Sequence, residues 1–527
     1  MTTPITVQGA GFSSAPQIHP DDLPAIAAVG YRAIVCNRPD GEGGVDQPTS
    51  DELAAAARTH GLAFAYLPVV PGQISDAQVD AFTELLRTLP GPVLGYCRSG
   101  ARATTLYQRS QAHSTPTASP QPDLSFDVVI VGAGAAGIGV AASLLRRRRH
   151  LKVALIDPSD SHHYQPAWTL VGGGAFDPAR TVRPMASLIP YGAIWLHTEA
   201  TALTPTQCQV TLADGRRIGY QQLIVCPGLR LAWERIEGLT EALGKNGVTS
   251  NYRRDLAPYT WELVQGLRRG KALFSQPPMP IKCAGAPQKA MYLSADHWLR
   301  RGVLKDIEVE FDLAGPALFG VAAFVPALMR YVEHYKAKLV FNSTLVKVDG
   351  PSRTAWFDVK QADGTVRREP RSFDLLHAVP PQVPPELVRT SPLADAAGWC
   401  EVDQATLQHP RHPEVFSLGD VCSAPNAKTA AAVRKQIVVV AENLLAHRDG
   451  KPLPCRYDGY GACPLTVARG RVVLAEFGYG GKLLPTFPLD PTVARGSAWW
   501  LKTRVLPWVY WNLLLRGREW LTQVARA

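Results

Sequence analysis

No apolar run in this sequence reaches the roughly 18 residues that a bilayer-spanning helix needs, so no spanning helix is expected. Early positive charge is missing too: the first lysine or arginine is Arg32. Secretory signal peptides and Arg-rich transit peptides both carry early basic residues, so neither is expected. Cysteine is scarce, 9 in 527 residues, which excludes a disulfide-built scaffold and points any working cysteine pair toward catalysis. No internal repeat is visible. Glycine and proline, 44 each, are frequent but short of the low-complexity range, so the chain reads as globular and rich in loops. Its length and a 46% hydrophobic share allow two to four domains with cores of their own. The net charge of +10 admits nucleic acid, an anionic membrane or an anionic substrate, and its location along the chain must decide.

Residues 1–107 alternate strand-like runs (Tyr31–Cys36, Phe64–Val69, Val93–Tyr96) with helical patterns (Asp51–Thr59, Asp76–Thr88), the signature of a small α/β domain. Residues 108–125 are rich in Ser, Thr, Pro and Gln, offer little to bury, and read as a linker. A second pattern covers 126–494, and a distinct tail covers 495–527.

Asp127–Val131 is a buried-strand pattern that runs into Gly132-Ala-Gly134-Ala-Ala-Gly137 and a helix over Ile138–Arg148. A second strand, Lys152–Ile156, ends at Asp157. Gly132 allows the tight turn and Gly134 lets the backbone approach a pyrophosphate. Gly137 permits close helix–strand packing, and Asp157, about 20 residues on, suits the ribose hydroxyls. The motif does not choose between FAD and NAD. Phe416-Ser-Leu-Gly419-Asp420 favours FAD, because two-domain flavoproteins return the chain to the flavin through such a strand-Gly-Asp passage. The place for a second fingerprint, after Val309–Leu313, holds Ala314-Gly315-Pro-Ala-Leu-Phe-Gly320, and the next strand ends in Asn342 rather than an acid. A degenerate second domain that does not hold NAD(P)H is expected. The basic run Arg146–Arg149 falls at a helix C-terminus, where cations suit the dipole, so no nucleic acid is expected.

Cys283 lies among Gly and Pro in Pro280–Lys289, where Lys282 and Lys289 favour the thiolate. Cys422 follows Asp420 by two residues and should lie near a flavin. The two read either as a redox relay or as two unrelated buried cysteines. Cys36, Cys208, Cys226, Cys400, Cys455 and Cys463 read as structural, and no metal site is expected, His409 and His412 included.

Four stretches, HHYQPAWTLVGGG (162–174), IKCAGAPQKAMYLS (281–294), VDQATLQHPRHPEVFSLGDVCSAPNAKTAAAVRKQ (402–436) and YDGYGACPLTVARGRVVLAEF (457–477), make residues 126–527 resemble the sulfide:quinone oxidoreductases. The resemblance implies bound FAD, a cysteine bridge beside it and a membrane quinone acceptor. It implies that Cys283 forms the charge-transfer contact with the flavin and that Cys422 receives the sulfide sulfur. One departure stands out: Val421 separates Cys422 from the Gly-Asp pair that it directly follows in some relatives. Lys428 joins Gly419 and Asp420 as cofactor-binding, and Lys289 is placed to hold an anionic acceptor. Hydrosulfide would open a Cys283–Cys422 bridge, leave a persulfide on Cys422, and pass two electrons by way of FAD to quinone. The sulfane sulfur would leave to glutathione, sulfite or another sulfide. The alternatives are a type II NADH dehydrogenase, which needs the missing second fingerprint, and a non-catalytic persulfide sensor.

In the first domain, Val93–Tyr96 leads into Cys97-Arg-Ser-Gly-Ala-Arg102, a loop and helix start that place a sulfur in a nest of backbone N–H groups. Cysteine phosphatases carry Arg six residues after Cys; here Arg102 is five on and Ala103 follows, as in rhodaneses. With NRPDGEGGVDQPTSDEL (37–53), the domain resembles a small phosphatase-like family associated with sulfide oxidation. That implies a sulfurtransferase with Cys97 as carrier, set against a phosphatase in which Asp40 serves as acid or a domain without activity; outside the phosphatase reading Asp40 shapes a turn.

The tail holds five of the twelve tryptophans, Trp499, Trp500, Trp508, Trp511 and Trp520, and six basic residues against the single acid Glu519, half of the net charge. Its longest near-apolar stretch, Val505–Leu515, is too short to span. The expectation is monotopic binding to the cytoplasmic face of the cell membrane through two helices split at Pro507, against the bland reading of a tail packed on the core or in a dimer contact. The oligomeric state is left open, with a homo-oligomer allowed. The fold class expected is α/β: a cysteine-phosphatase-like domain, then a tandem Rossmann-type flavoprotein, then amphipathic membrane helices.

Overall fold

The computed structural model describes residues 4–9, 11–113 and 122–526. The chain falls into two compact units, 1–121 and 122–527.

In the first unit the elements are β1 (Thr6–Gly9), β2 (Phe12–Ala15), α1 (Leu23–Ala28), β3 (Ala33–Cys36), α2 (Ser50–Thr59), β4 (Ala63–Tyr66), α3 (Asp76–Thr88), β5 (Val93–Tyr96) and α4 (Ala101–His113). The sheet order is β1-β2-β5-β3-β4, with β1 antiparallel and the other four strands parallel. Both middle helices start on capping boxes. Thr49 Oγ1 accepts from Glu52 N while Glu52 accepts from Thr49 N, and Ser75 and Gln78 repeat the arrangement. α3 buries Val79 and Phe82 on one face of the sheet, and Leu53 and Ala57 of α2 bury on the other. In this topology β5 is central, so the loop after it opens at the carboxyl edge of the parallel strands, where open α/β sheets bind ligands.

The second unit opens with β6 (Leu124–Val131), α5 (Ala135–Arg147) and β7 (Val153–Ile156). Its main sheet runs Ala193–Leu196, β7, β6, Arg217–Val225, Gln209–Leu212, Ala200–Thr204, with Val415–Ser417 also on Arg217–Val225. A second, parallel sheet joins Val248–Thr249, Leu375–His377, Gly270–Gln276, Ile307–Leu313 and Lys338–Phe341. After Leu313 the chain makes bends instead of a glycine turn into a helix; the next α-helix starts at Val325. An antiparallel ribbon, Gly461–Ala468 with Arg471–Phe477, and the Ala430–Arg448 helix complete the scaffold around the site.

Two expectations change. The segment 108–125 is not a linker throughout: α4 continues to His113 and β6 begins at Leu124, while 114–121 lies outside the described residues. The tail is not split into two helices at Pro507. Helical backbone runs over 496–512, with a wide turn at Leu501–Val505 just before Pro507, which sits in the first turn of Leu506–Asn512. Pro507 has no N–H to give to the turn beneath it, and the wide turn Leu501–Val505 takes up that missing bond without breaking the helix.

The tail also packs inward more than its composition implies. Pro507, Val509, Tyr510, Trp511, Leu514 and Leu515 are buried. Tyr510 donates to His162 Nε2 at 2.7 Å, because His162 Nδ1 is spent on Ala133 O. Arg183 lies over the Trp511 ring. Of the five tail tryptophans, only Trp500 and Trp508 are exposed. Lys502 is buried and Arg526 pairs with Glu442, so not all the tail's basic charge faces outward. The run at 146–149 is likewise partly engaged: Arg147 binds Glu519 and Glu442, and Arg148 binds Asp449. Among the described residues no helix is long and apolar enough to cross a membrane.

Candidate active site

A cavity of about 480 Å³ runs from the glycine turn after β6, past Cys283 and Lys289, to the tail. Gly132, Gly134, Asp157, Gly419, Asp420 and Lys428 all line it, and Gly137 stands directly behind. The fit to a dinucleotide is steric. A Cβ on Gly137 would fall 1.9 Å from Gly132 O, and one on Gly132, whose φ is +100°, would fall 2.6 Å from Cys226 O. Gly134 caps α5, so free helix N–H groups face the cavity. Asp157 Oδ2 accepts from Ala133 N at 2.7 Å and fixes the turn to the end of β7. Asp420 is half-buried at the cavity wall: desolvation raises its carboxyl above the ordinary value, against the opposing charges of Lys282 and Lys428.

Cys283 takes left-handed backbone, φ +52°, three residues before the helix Ala286–Arg300. Its N–H donates to Lys428 O at 2.9 Å, and Tyr252 Oη donates to Lys282 O at 3.0 Å, which pins the loop. One turn into the helix, Lys289, 2% exposed, donates from Nζ to Cys283 Sγ at 3.1 Å.

The cysteine that the fold brings to Cys283 is Cys463, on the ribbon strand Gly461–Ala468. The Cys463 side chain packs against this loop, its Cβ 3.7 Å from where a Cβ on Gly285 would lie. The neighbouring Cys463 thiol, with the charge of Lys289 and of Lys502, holds the Cys283 thiol well below its ordinary pKa despite burial. Cys463 is held well above, by Cys283 and by burial. The arrangement favours the thiolate on Cys283 and the thiol on Cys463.

Cys422, the expected partner of Cys283, lies at the tight turn after Asp420. It is buried, its Sγ donates to Gly419 O at 3.2 Å, and burial raises its pKa. The tight turn after Asp420 aims this thiol back into the core. Lys428 spans the turn, donating to Cys422 O at 3.0 Å beneath the Trp399 ring.

Two side chains beside the Cys283 loop were not singled out in the sequence. Cys463 lies within a stretch that already carried the resemblance, but nothing local separates it from a structural cysteine. Lys502, in the tail, is 5% exposed and faces the same sulfur pair; burial and the charge of Lys289 push it down to about 7. The ribbon also sorts its two faces. Ala462, Pro464, Leu474 and Glu476 line the cavity, whereas Cys463, Leu465, Val473 and Ala475 lie in the core behind it.

In the first unit Cys97 follows β5 and is 1% exposed. Arg102 lies in the first turn of α4, the helix that follows it. Both carboxylate oxygens of Asp40 are taken by Ser50, N at 2.8 Å and Oγ at 2.7 Å, so Asp40 caps the start of α2.

Residues 5–114 match the phosphatase-like domain of beta-lactamase hydrolase-like proteins, and residues 126–259 match the pyridine nucleotide-disulphide oxidoreductases. The mitochondrial sulfide:quinone oxidoreductase of Dictyostelium discoideum is 39% identical over 394 residues, 74% of this chain and 86% of that protein. A beta-lactamase hydrolase-like protein of Xylella fastidiosa is 42% identical over 95 residues, 18% of this chain and 22% of that protein. The solved sulfide:quinone oxidoreductase of Aquifex aeolicus superposes with a TM-score of 0.63 at 19% identity, covering 75% of this chain and 92% of that one, which shows a shared fold.

Proposed function

This chain belongs to the sulfide:quinone oxidoreductase family and oxidises sulfide, and on that premise we propose that Cys283 and Cys463 are its reacting sulfur pair. The observation that carries the reading is the placement of Cys463 directly behind the loop of Cys283, whose own sulfur lies 3.1 Å from Lys289 Nζ on the wall of the glycine-lined cavity.

FAD fits the cradle of Gly132, Gly134, Gly137 and Asp157, with Asp420 and Lys428 farther along, and when bound it supplies the two-electron acceptor for the sulfurs and the donor for quinone. The chain's own residues then set the direction of attack. In a Cys283–Cys463 bridge the better leaving group is the sulfur of lower pKa, Cys283. Hydrosulfide attacks Cys463 Sγ, an S–S bond forms there, and the old S–S bond breaks with its electron pair on Cys283. Cys463 now carries a persulfide and Lys289 neutralises the Cys283 thiolate at 3.1 Å. A thiolate or sulfite acceptor takes the outer sulfur and leaves the Cys463 thiolate. Loss of two electrons from the pair closes the bridge again.

Quinone reaches the cavity from the tail side, where Leu501, Leu506, Val509 and Leu514 form an apolar wall. Exposed Leu489, Trp500, Trp508 and Leu521 support peripheral seating on a membrane surface. In the first unit, a Cys-x4-Arg loop and an Asp40 already spent on Ser50 favour a sulfurtransferase over a phosphatase. We assign Cys97 the sulfane sulfur released by the second unit.

The test is mass spectrometry and turnover on one set of variants. Cys283→Ser and Cys463→Ser lose sulfide-dependent quinone reduction, and a sulfide-dependent added sulfur appears on the peptide of Cys463. Cys422→Ser keeps both signals. Loss of turnover in Cys422→Ser with retention in Cys463→Ser would restore the other pairing. Thiosulfate:cyanide transfer that survives Cys97→Ser removes the role given to that residue.

A further inference from the structure

The first unit contains an acidic group that the sulfur chemistry above does not use. Glu42 lies in the turn Pro39–Gln47, where Gly41 and Gly44 take φ of +76° and +75°. Its carboxylate accepts from Arg38 Nε at 2.8 Å and from Arg102 Nη2 at 2.9 Å. Arg102 Nη1 is taken as well, donating to Val69 O at 2.6 Å. Both guanidinium groups are buried, and they hold the Glu42 carboxyl below its ordinary range, Arg102 foremost. The loop is fitted closely to this arrangement: a Cβ on Gly43 would fall 2.5 Å from Arg38 Nη2. The Arg102 guanidinium, on the helix that follows the Cys97 loop, therefore already holds an anion supplied by its own chain.

We propose that Glu42 is an internal counter-anion, seated on the guanidinium face that an oxyanionic sulfur substrate of the thiosulfonate class must take, and that the 40–46 loop is a lid which releases when such a substrate binds. The lid excludes weakly bound anions, because each must displace a carboxylate held by two arginines. It also keeps a sulfur carried on Cys97 away from water. The proposal deepens the sulfurtransferase reading of this unit, but its binding arm does not depend on that reading.

The experiment uses the full chain and tungstate as the probe, followed by calorimetry. Glu42→Gln binds tungstate at least tenfold more tightly than the unaltered protein, and Arg102→Ala binds none. In the unaltered protein, saturating tungstate speeds amide exchange across residues 40–46. Thiosulfate transfer by Glu42→Gln shows a KM several-fold lower with kcat within about twofold. Equal tungstate affinity with and without Glu42, or exchange of 40–46 unchanged by tungstate, overturns the proposal; the exchange measurement decides it even where Glu42→Gln fails to fold. Tighter tungstate binding by Glu42→Gln in a protein without Cys97-dependent transfer upholds Glu42 and removes the sulfurtransferase reading. Cys97-dependent transfer with an unchanged KM in Glu42→Gln does the reverse.

Discussion

Replacing Lys289 by Met removes the ammonium that faces Cys283 and keeps a side chain of similar length in a site that is 2% exposed. At 3.1 Å and an effective dielectric constant of about 20, the bare attraction is about 5 kcal/mol, an upper bound that ignores the cost of burying the lysine. A charge-assisted hydrogen bond contributes about 1.5–3 kcal/mol net. At about 1.36 kcal/mol per pH unit, the Cys283 thiol in Lys289→Met should titrate about one to two units higher. The remaining depression comes from the Cys463 thiol, the leading cause, so Cys463→Ala should move it up again. The assay is the rate of iodoacetamide alkylation at Cys283 against pH, read on the Cys283 peptide of the reduced protein. The midpoint rises in both variants, because less thiolate survives at low pH. A Lys289→Met midpoint within about 0.3 unit of the unaltered protein would refute the assignment of Lys289 as the thiolate's counter-ion.

Lys502 should make the protein less stable in acid than at high pH. Its folded pKa of about 7 lies below the unfolded value of 10.5, so the unfolded chain binds more protons between those limits. The penalty is full below about 7 and fades as pH rises toward 10.5; Lys502→Met should therefore raise Tm at pH 6 clearly more than at pH 10, and an equal rise at both would sink the argument. Gly137→Ala should purify without yellow chromophore, since the added methyl meets Gly132 O, and normal flavin content would contradict the cradle. Trp500→Ser with Trp508→Ser should abolish co-sedimentation with anionic vesicles while leaving Tm within a few degrees; retained sedimentation removes these two residues from the membrane contact.

The parts of the site legible in the sequence are those built from neighbours in the chain. The strand, glycine turn and helix at 127–148 are specified within one stretch, and so is the loop from Cys97 to Arg102. The closeness of Cys463 to the Cys283 loop was not legible, because Cys463 comes from a distant ribbon, and the stretch 457–477 that carried the resemblance did not single it out. Closeness in sequence to Asp420 favoured Cys422, yet the backbone turn there points its thiol at Gly419 O. Composition marked the tail as suited to an interface. It could not show which rings His162, Tyr164 and Arg183 would hold, and those contacts turn Tyr510 and Trp511 inward.

The ribbon Gly461–Phe477 works as a partition one strand thick, and its alternation decides which side receives a sulfur. Removing or adding a single residue between Gly461 and Cys463 would rotate the thiol through to the opening and send Ala462 or Pro464 into its place. The hairpin can change length at Arg469–Gly470, where the chain reverses. Upstream of Cys463 its length is constrained, because parity there determines which face of the ribbon the thiol takes.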